Sequence, residues 1–419
     1  MAEEPKKHPK ISTEPYKGVR DFYPEQQAFL NFLFANMRTI AERCGYVEYN
    51  ASILEPAELY RSKQAENEEI INDQTYTFTD RGDREVTLRP EMTPTVARMV
   101  SAKRRELGFP LRLYSIPNLF RYERPQRGRL REHWQFNVDL FGSYSPAADA
   151  EVIAVAYGLM MSLGATQDDF VIRVGSRTFI NGLSQDAGLN DQQTKKLLGL
   201  LDRRQKIPAP EFDAGLAELG VSKTDLEANP PADVAQMIED FNAAGISNIV
   251  WDPSIVRGFA YYTGIVFEVY DNHPDNNRAL FGGGRYDNLT ALFDEEKIPG
   301  VGFGAGDETL RLFMESRNLI PPYKPPTVVY IAVTSPELAV SAQTFAGQYL
   351  RQNGINVAVD FGEKRLSDQI KTATKHKIPY LIVLGQDEFA SEQCLVRDLE
   401  SGDERMIRFE QLHEYFLSI

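Results

Sequence analysis

Apolar residues recur at three- and four-residue steps from Pro24 onward: Phe29, Leu30, Leu33, Met37, Ile40, Ala41 and Cys44, with Gly45 as the stop. This spacing predicts an amphipathic helix, because positions three and four apart share one helix face. Residues 46–54 then read as a strand closed by Pro56. Further strands are expected at 112–120, 134–142, 170–174 and 263–270, and a helix over 147–163. The 134–142 segment alternates, with Trp134, Phe136, Val138 and Leu140 against Gln135, Asn137 and Asp139, as a half-buried strand does. The fold class is α/β of the α+β kind, an antiparallel sheet with flanking helices rather than a regular βαβ succession.

The pattern changes twice. From about 189 to 245 the chain is rich in Leu, Ala, Asp, Glu and Gln and punctuated by Pro208, Pro210, Pro230 and Pro231, which predicts a helical insertion. Residues 321–326, PPYKPP, form a stiff linker. Strand 327–334, helix 336–353, strand 355–361, helix 365–376 and strand 380–384 follow, the alternation of a small α/β domain over 327–419. Residues 1–17 are polar and aperiodic and read as a flexible tail, leaving 18–320 as the main domain.

Of the 419 residues 42% are hydrophobic and 25% charged, which makes disordered, collagen-like and membrane classes poor fits. No apolar run approaches the roughly 18–20 residues of a spanning helix, and the polar N-terminus does not read as a secretory signal. Cys44 and Cys394 are the two cysteines, too few for a disulfide framework or a Cys-based zinc site. His8, His133, His273, His376 and His413 show no ligand spacing, so no resident metal is expected. A reducing, cytoplasmic setting is expected. The 46 Lys+Arg against 60 Asp+Glu give a formal charge of −14, which argues against gripping nucleic acid by bulk charge.

Local charge says otherwise. Arg121, Arg124, Arg127, Arg129 and Arg131 crowd the sequence FRYERPQRGRLREHWQF, with Glu123 the one acid before Glu132. Arginine binds phosphate bidentately and stays charged, so a loop of this kind between two strands suits a polyanion; a solvated hairpin explains the same composition. In TLRPEMTPT, Glu91 and Thr93 have the chemistry to hold an ammonium group, though the segment by itself favours a structural ion pair at a strand end. Tyr261, Tyr262 and Tyr286 carry aromatic rings with polar tips, in VRGFAYYTG and FGGGRYDNL. The triple glycine fits neither a Walker loop nor a dinucleotide turn.

Taken in order, these segments resemble the histidyl-tRNA synthetase family of class II aminoacyl-tRNA synthetases. KGVRDFYP is similar to its opening motif, the 24–56 region to the dimer-forming motif 1, and the Arg-rich hairpin to motif 2. VRGFAYYTG and FGGGRYDNL resemble its two histidine signatures. The resemblance implies ATP-dependent ligation of L-histidine to tRNA(His) through a histidyl-adenylate, with ATP accompanied by Mg²⁺, in a cytoplasmic homodimer. It implies catalytic roles for Arg121, at the α-phosphate, and for Arg257. It places Glu123 at the adenine, and Glu91, Thr93, Gln135, Asp139, Tyr261, Tyr262 and Tyr286 around histidine. It puts Gln126, Arg127 and Arg131 at the tRNA acceptor end. The 327–419 domain resembles the family's anticodon-binding domain, where Lys364 and Lys371 would meet RNA.

Two departures stand out. The family's motif 3 usually runs Gly-x-Glu-Arg, whereas GFGAGDETLRL puts Thr309 at the arginine position. Arg311, two residues on, is the candidate ATP ligand only if the helix register differs, since two residues turn about 200°. Ala260 stands where the signature often has Asp. A catalytically silent regulatory paralogue, like the synthetase-like partner of ATP phosphoribosyltransferase, is the alternative, but such paralogues commonly lack the anticodon-binding domain.

Overall fold

The computed structural model describes residues 11–61, 74–124, 126–204, 207–227, 229–256, 261–274, 276, 279–293 and 296–418. They fall into two units, Met1–Ile320 and Pro321–Ile419. The strands of the first unit are β1 (Val47–Glu48), β2 (Leu54–Pro56), β3 (Tyr76–Thr79), β4 (Glu85–Leu88), β5 (Leu111–Ser115), β6 (Asn118–Phe120), β7 (Glu132–Phe141), β8 (Phe170–Ser176), β9 (Ile249–Trp251), β10 (Ile265–Asp271), β11 (Ala279–Arg285) and β12 (Gly300–Gly306). A large sheet runs β1-β5-β7-β12-β11-β10-β8-β9, with β6 on β7, and a small one runs β2-β4-β3. Only the outer contacts β1–β5 and β8–β9 are parallel; the centre is antiparallel.

One face of the large sheet is closed by helices. Phe136, Val138 and Leu140 of β7, Phe267 and Val269 of β10, and Val301 and Phe303 of β12 share a core with the helices Pro24–Arg43, Pro146–Ser162, Ala232–Ala243 and Asp307–Ser316. The first of these helices buries Leu30, Leu33, Met37 and Ala41, all on the face its periodicity singles out. It meets the Pro146–Ser162 helix closely, because a Cβ on Gly158 would come within 2.8 Å of Ile40 Cδ1. The opposite face carries Tyr261, Tyr262, Val266, Tyr286 and the helix Thr93–Lys103. Ligand-sized space lies on that side.

Two expected strands are broken. The 46–54 run splits into β1 and β2, in different sheets, because local polar groups satisfy the backbone between them. Asn50 Oδ1 accepts from Ala51 N–H, Ser52 Oγ from Leu54 N–H, and Arg89 donates to the carbonyls of Ala51 and Ser52. The 112–120 run breaks at Pro117, which has no N–H to give a ladder. Helices Asp191–Asp202, Ala209–Glu218 and Lys223–Leu226 enclose their own small core with Ile180 and Val256, whereas the Ala232–Ala243 helix packs on the main sheet.

In the second unit, β13 (Val329–Val333), β14 (Val357–Val359), β15 (Tyr380–Leu384), β16 (Gln393–Asp398) and β17 (Glu404–Arg408) form a mixed sheet in the order β14-β13-β15-β16-β17. The last pairings are antiparallel, so the parallel alternation read from sequence ends at β15 and a hairpin completes the sheet.

Candidate active site

The floor of the site is a patch of sheet without side chains. Register pairs Gly300, Gly302, Gly304 and Gly306 of β12 with Phe141, Asp139, Asn137 and Gln135 of β7. Paired residues point to the same side, so the polar row of β7 stands beside glycines, and Gly282 and Gly284 of β11 extend the bare strip. A Cβ on Gly302 would lie 2.7 Å from Asp139 Oδ1 and 2.8 Å from Tyr286 Oη; one on Gly304 would lie 2.7 Å from the Gln135 carboxamide carbon. One on Gly284 would meet the Tyr262 ring at 2.8 Å. The glycines therefore let Gln135, Asp139, Tyr262 and Tyr286 lie low over the sheet.

Two buried carboxylates face this floor. Asp139 accepts a short hydrogen bond from Tyr286 Oη, and its Oδ2 is buried with no partner among the described residues. Burial pushes its carboxyl up to about 7. Glu91 is also pushed up to about 7 by burial, against the opposing pull of Arg121 and of the Tyr261 hydroxyl, which donates to Oε2 over 3.4 Å. Tyr261 packs on Tyr262 and Tyr286, with ring centroids 4.9 and 6.0 Å away, and links the two acids. Glu91 and Thr93 are held by the entry to the Thr93–Lys103 helix, where Tyr60 Oη bonds Glu91 O and Thr95 Oγ1. Arg89 is 2% exposed and spends its guanidinium on backbone carbonyls, a structural role.

Beside the floor opens a cleft of about 1270 Å³. Gln126, Arg127, Gly128 and Arg129 of the Arg-rich loop line it, with Arg204 of the insertion, Ser254 to Val256, Glu268, Tyr270, Thr309 and Leu312. Gly128 adopts φ +79°, which glycine accepts freely, and turns the loop over Leu312. Arg121 lies deeper, its Nε donating to Pro90 O over 2.9 Å, and Glu123 sits between Arg121 and Arg129 at 3.9 and 3.7 Å.

Two expectations are corrected. Arg131 does not project from the loop: it is 9% exposed, stacks 4.0 Å from the Tyr122 centroid and donates to Tyr16 Oη and Glu123 O. It ties the hairpin to the start of the chain. Arg311 does not face the cleft. The Asp307–Ser316 helix turns Thr309, Leu312 and Ser316 there, and Arg311, on another face, is paired with Glu308 and Glu315 at 2.9 and 3.1 Å. Arg257 and Ala260 lie outside the described residues.

Three contributors emerge only from the structure. Arg20 in KGVRDFYP bridges Asp307 and Glu308 at 2.6 and 2.8 Å, while Asp307 accepts the Trp134 N–H, so the opening motif pins the start of the Asp307–Ser316 helix to β7. Glu268 faces the cleft from β10, and its signal in sequence is that it is the one charge in the apolar run IVFEVY. Arg204 carries no such signal, lying in an insertion whose pattern says only that it is helical.

A mostly antiparallel sheet with one face closed by helices and the other a glycine floor edged by carboxylates and arginines defines a class II aminoacyl-tRNA synthetase. Family models described as histidyl-tRNA synthetase and anticodon binding domain match residues 18–310 and 328–419. The chain belongs to the histidyl-tRNA synthetase family. It is 39% identical to the histidine–tRNA ligase of Leptospira biflexa over 97% of each chain. It is 36% identical to that of Thermoplasma volcanium, over 95% of this chain and 96% of the relative. In fold it is similar to histidyl-tRNA synthetase from Nostoc sp. PCC 7120, with TM-score 0.81 at 22% identity, covering 98% of this chain and all of that one.

Proposed function

We propose that this chain activates L-histidine with ATP and transfers the histidyl group to tRNA(His), releasing AMP and pyrophosphate. The observation that carries this reading is the pair of buried acids, Glu91 and Asp139, joined through Tyr261 and Tyr286 over a bare glycine floor. Histidine presents two sets of donors, an ammonium and an imidazole N–H, and the pocket presents two acceptors. Glu91 with Thr93 takes the ammonium. The open Oδ2 of Asp139 takes the imidazole, with Gln135, Tyr262 and Tyr286 closing around the ring. Asp139 is one methylene shorter than the glutamate common in the family.

With histidine so held, one of its carboxylate oxygens attacks the α-phosphorus of ATP, the bond to the β-phosphate oxygen breaks, and pyrophosphate leaves. The terminal ribose hydroxyl of the tRNA then attacks the histidyl carbonyl, its proton passes to a phosphate oxygen of the departing AMP, and AMP leaves with the bonding electrons. No protein nucleophile is required; the chain positions the reactants and offsets charge at phosphorus. Arg121, beside Glu91, is suited to the α-phosphate, and Arg257 follows Val256 of the cleft wall in sequence. Glu123 is suited to the adenine. Gln126 and Arg127, exposed at the loop tip, are suited to the tRNA end, and Lys364 and Lys371, exposed on the second unit, to the RNA backbone.

Among the described residues no group of three or more His, Cys, Asp or Glu forms a metal cage. Mg²⁺ entering with ATP needs no such cage, and Glu268, which faces the cleft, would help to hold it. Its chemistry would be to neutralise phosphate charge. We also place the chain in a cytoplasmic homodimer. Val47, Ile53, Leu54 and Phe78, all exposed, line the region similar to motif 1 and the small sheet beside it, and a solution mass of twice the chain is the expected result.

The reading is tested by ATP–pyrophosphate exchange with each amino acid in turn. Exchange with histidine alone is expected, and absence of exchange with any amino acid would overturn it. The match to ligase relatives over 97% of the chain, together with the second unit's match to the anticodon-binding model, disfavours a silent paralogue.

A further inference from the structure

Among the described residues, the Asp307–Ser316 helix brings no free cation to the cleft, and the insertion brings one. The Asp307–Ser316 helix presents Thr309, Leu312 and Ser316, none of them charged, while Arg311 is neutralised by two glutamates. Arg121 lies deep, against Pro90 and Glu123, and does not line the cleft. Arg204 enters the same cleft from the insertion, just past the helix Asp191–Asp202. Its guanidinium carbon lies 5.7 Å from the Phe212 ring centroid and its NH1 3.9 Å from Asp252 Oδ1, beyond hydrogen-bond reach.

Asp252 is already committed. Its Oδ1 accepts from Ser254 N and Oγ at 3.0 and 2.5 Å, and its Oδ2 from Arg173 at 3.1 Å. Arg204 therefore stands 48% exposed, its hydrogen-bond donors unspent among the described residues, held in place by a ring and the field of an occupied acid. An arginine whose planar fork is placed but not consumed loses little entropy on gripping a phosphate. The other cleft-lining arginines, Arg127 and Arg129, belong to the loop already assigned to RNA and to Glu123.

We propose that Arg204 binds the terminal phosphates of ATP, and so the departing pyrophosphate, supplying from the insertion the charge that the Thr309 position does not. The inference rests on the adenylation reading and adds a substrate-binding residue to it. The test is histidine-dependent ATP–pyrophosphate exchange on the full chain with Arg204→Ala, Arg311→Ala and the double variant Arg204→Ala/Thr309→Arg. For Arg204→Ala, KM for ATP is expected to rise about tenfold, as for a lost charge-assisted contact, with KM for histidine within about twofold. Arg311→Ala should leave KM for ATP unchanged, and the added Thr309→Arg should recover most of the loss. An unchanged KM for ATP in Arg204→Ala overturns the inference, as does an equal rise for ATP and histidine, or a change confined to KM for tRNA in the charging reaction. A parent chain inactive with every amino acid overturns the adenylation reading itself, and the inference with it.

Discussion

Asp139 shows how much one buried acid can couple chemistry to stability. An ordinary aspartate titrates near pH 4, whereas burial pushes Asp139 up to about 7. Below about pH 4 the carboxyl is protonated in both folded and unfolded chains. Between about 4 and 7 the unfolded chain has released the proton while the folded one keeps it, so the folded state binds more protons and loses stability as pH rises. Asp139→Asn removes the titration but keeps an acceptor for Tyr286. Its melting temperature relative to the parent is therefore expected to improve from pH 5 to pH 8, by the equivalent of a few kcal/mol at most. A difference that does not change across that range would count against a buried, largely neutral Asp139. The same substitution should weaken histidine binding, since an amide offers the imidazole N–H a poorer acceptor than a carboxylate.

Among the elements, β12 matters for what it omits. Its core-facing positions are Val301, Phe303 and Ala305, and its site-facing positions are all glycine. Gly302→Ala would put a Cβ 2.4 Å from Val138 O, besides crowding Asp139 and Tyr286, and neither the backbone nor the buried, hydrogen-bonded Asp139–Tyr286 pair can retreat far. KM for histidine should rise about tenfold or more, from loss of the charge-assisted contact at Asp139, while Gly182→Ala, with nothing within 4 Å of its Cβ, should leave the kinetics unchanged. Measuring both variants separates blocked space from a general cost of replacing glycine.

For the molecule as a whole, the charge of −14 is a poor guide to the partner because RNA meets surfaces rather than sums. In the second unit Lys364, Lys371, Lys375 and Lys377 are exposed around the helix Leu366–Lys375, where Asp368 lies 3.3 Å from Lys371. The double variant Lys364→Glu/Lys371→Glu is expected to raise KM for tRNA about tenfold at moderate salt, with the gap closing as salt rises and ATP–pyrophosphate exchange unaffected. An exchange rate that fell in parallel would mean the lysines act on the fold rather than on RNA.

Local periodicity and residue chemistry are written in the sequence directly. The Pro24 helix, the alternation of β7, the helical insertion and the small α/β unit are legible there because each depends on neighbours two, three or four residues away. The polar row Gln135, Asn137 and Asp139, and the acid in TLRPEMTPT, are legible as chemistry for the same reason. Breaks at Asn50–Ser52 and Pro117 are signalled locally but outvoted by the surrounding strand formers. Which charges remain available is settled only once the chain is folded: Arg131 is consumed by Tyr16, 115 residues away, Arg311 by its helix neighbours, and Arg20 by Asp307 and Glu308. Folding also brings Arg204 and Thr309 into one cleft. Periodicity reports which face a residue takes on its own element; which faces meet, and which charge cancels which, depends on contacts between residues far apart in the chain.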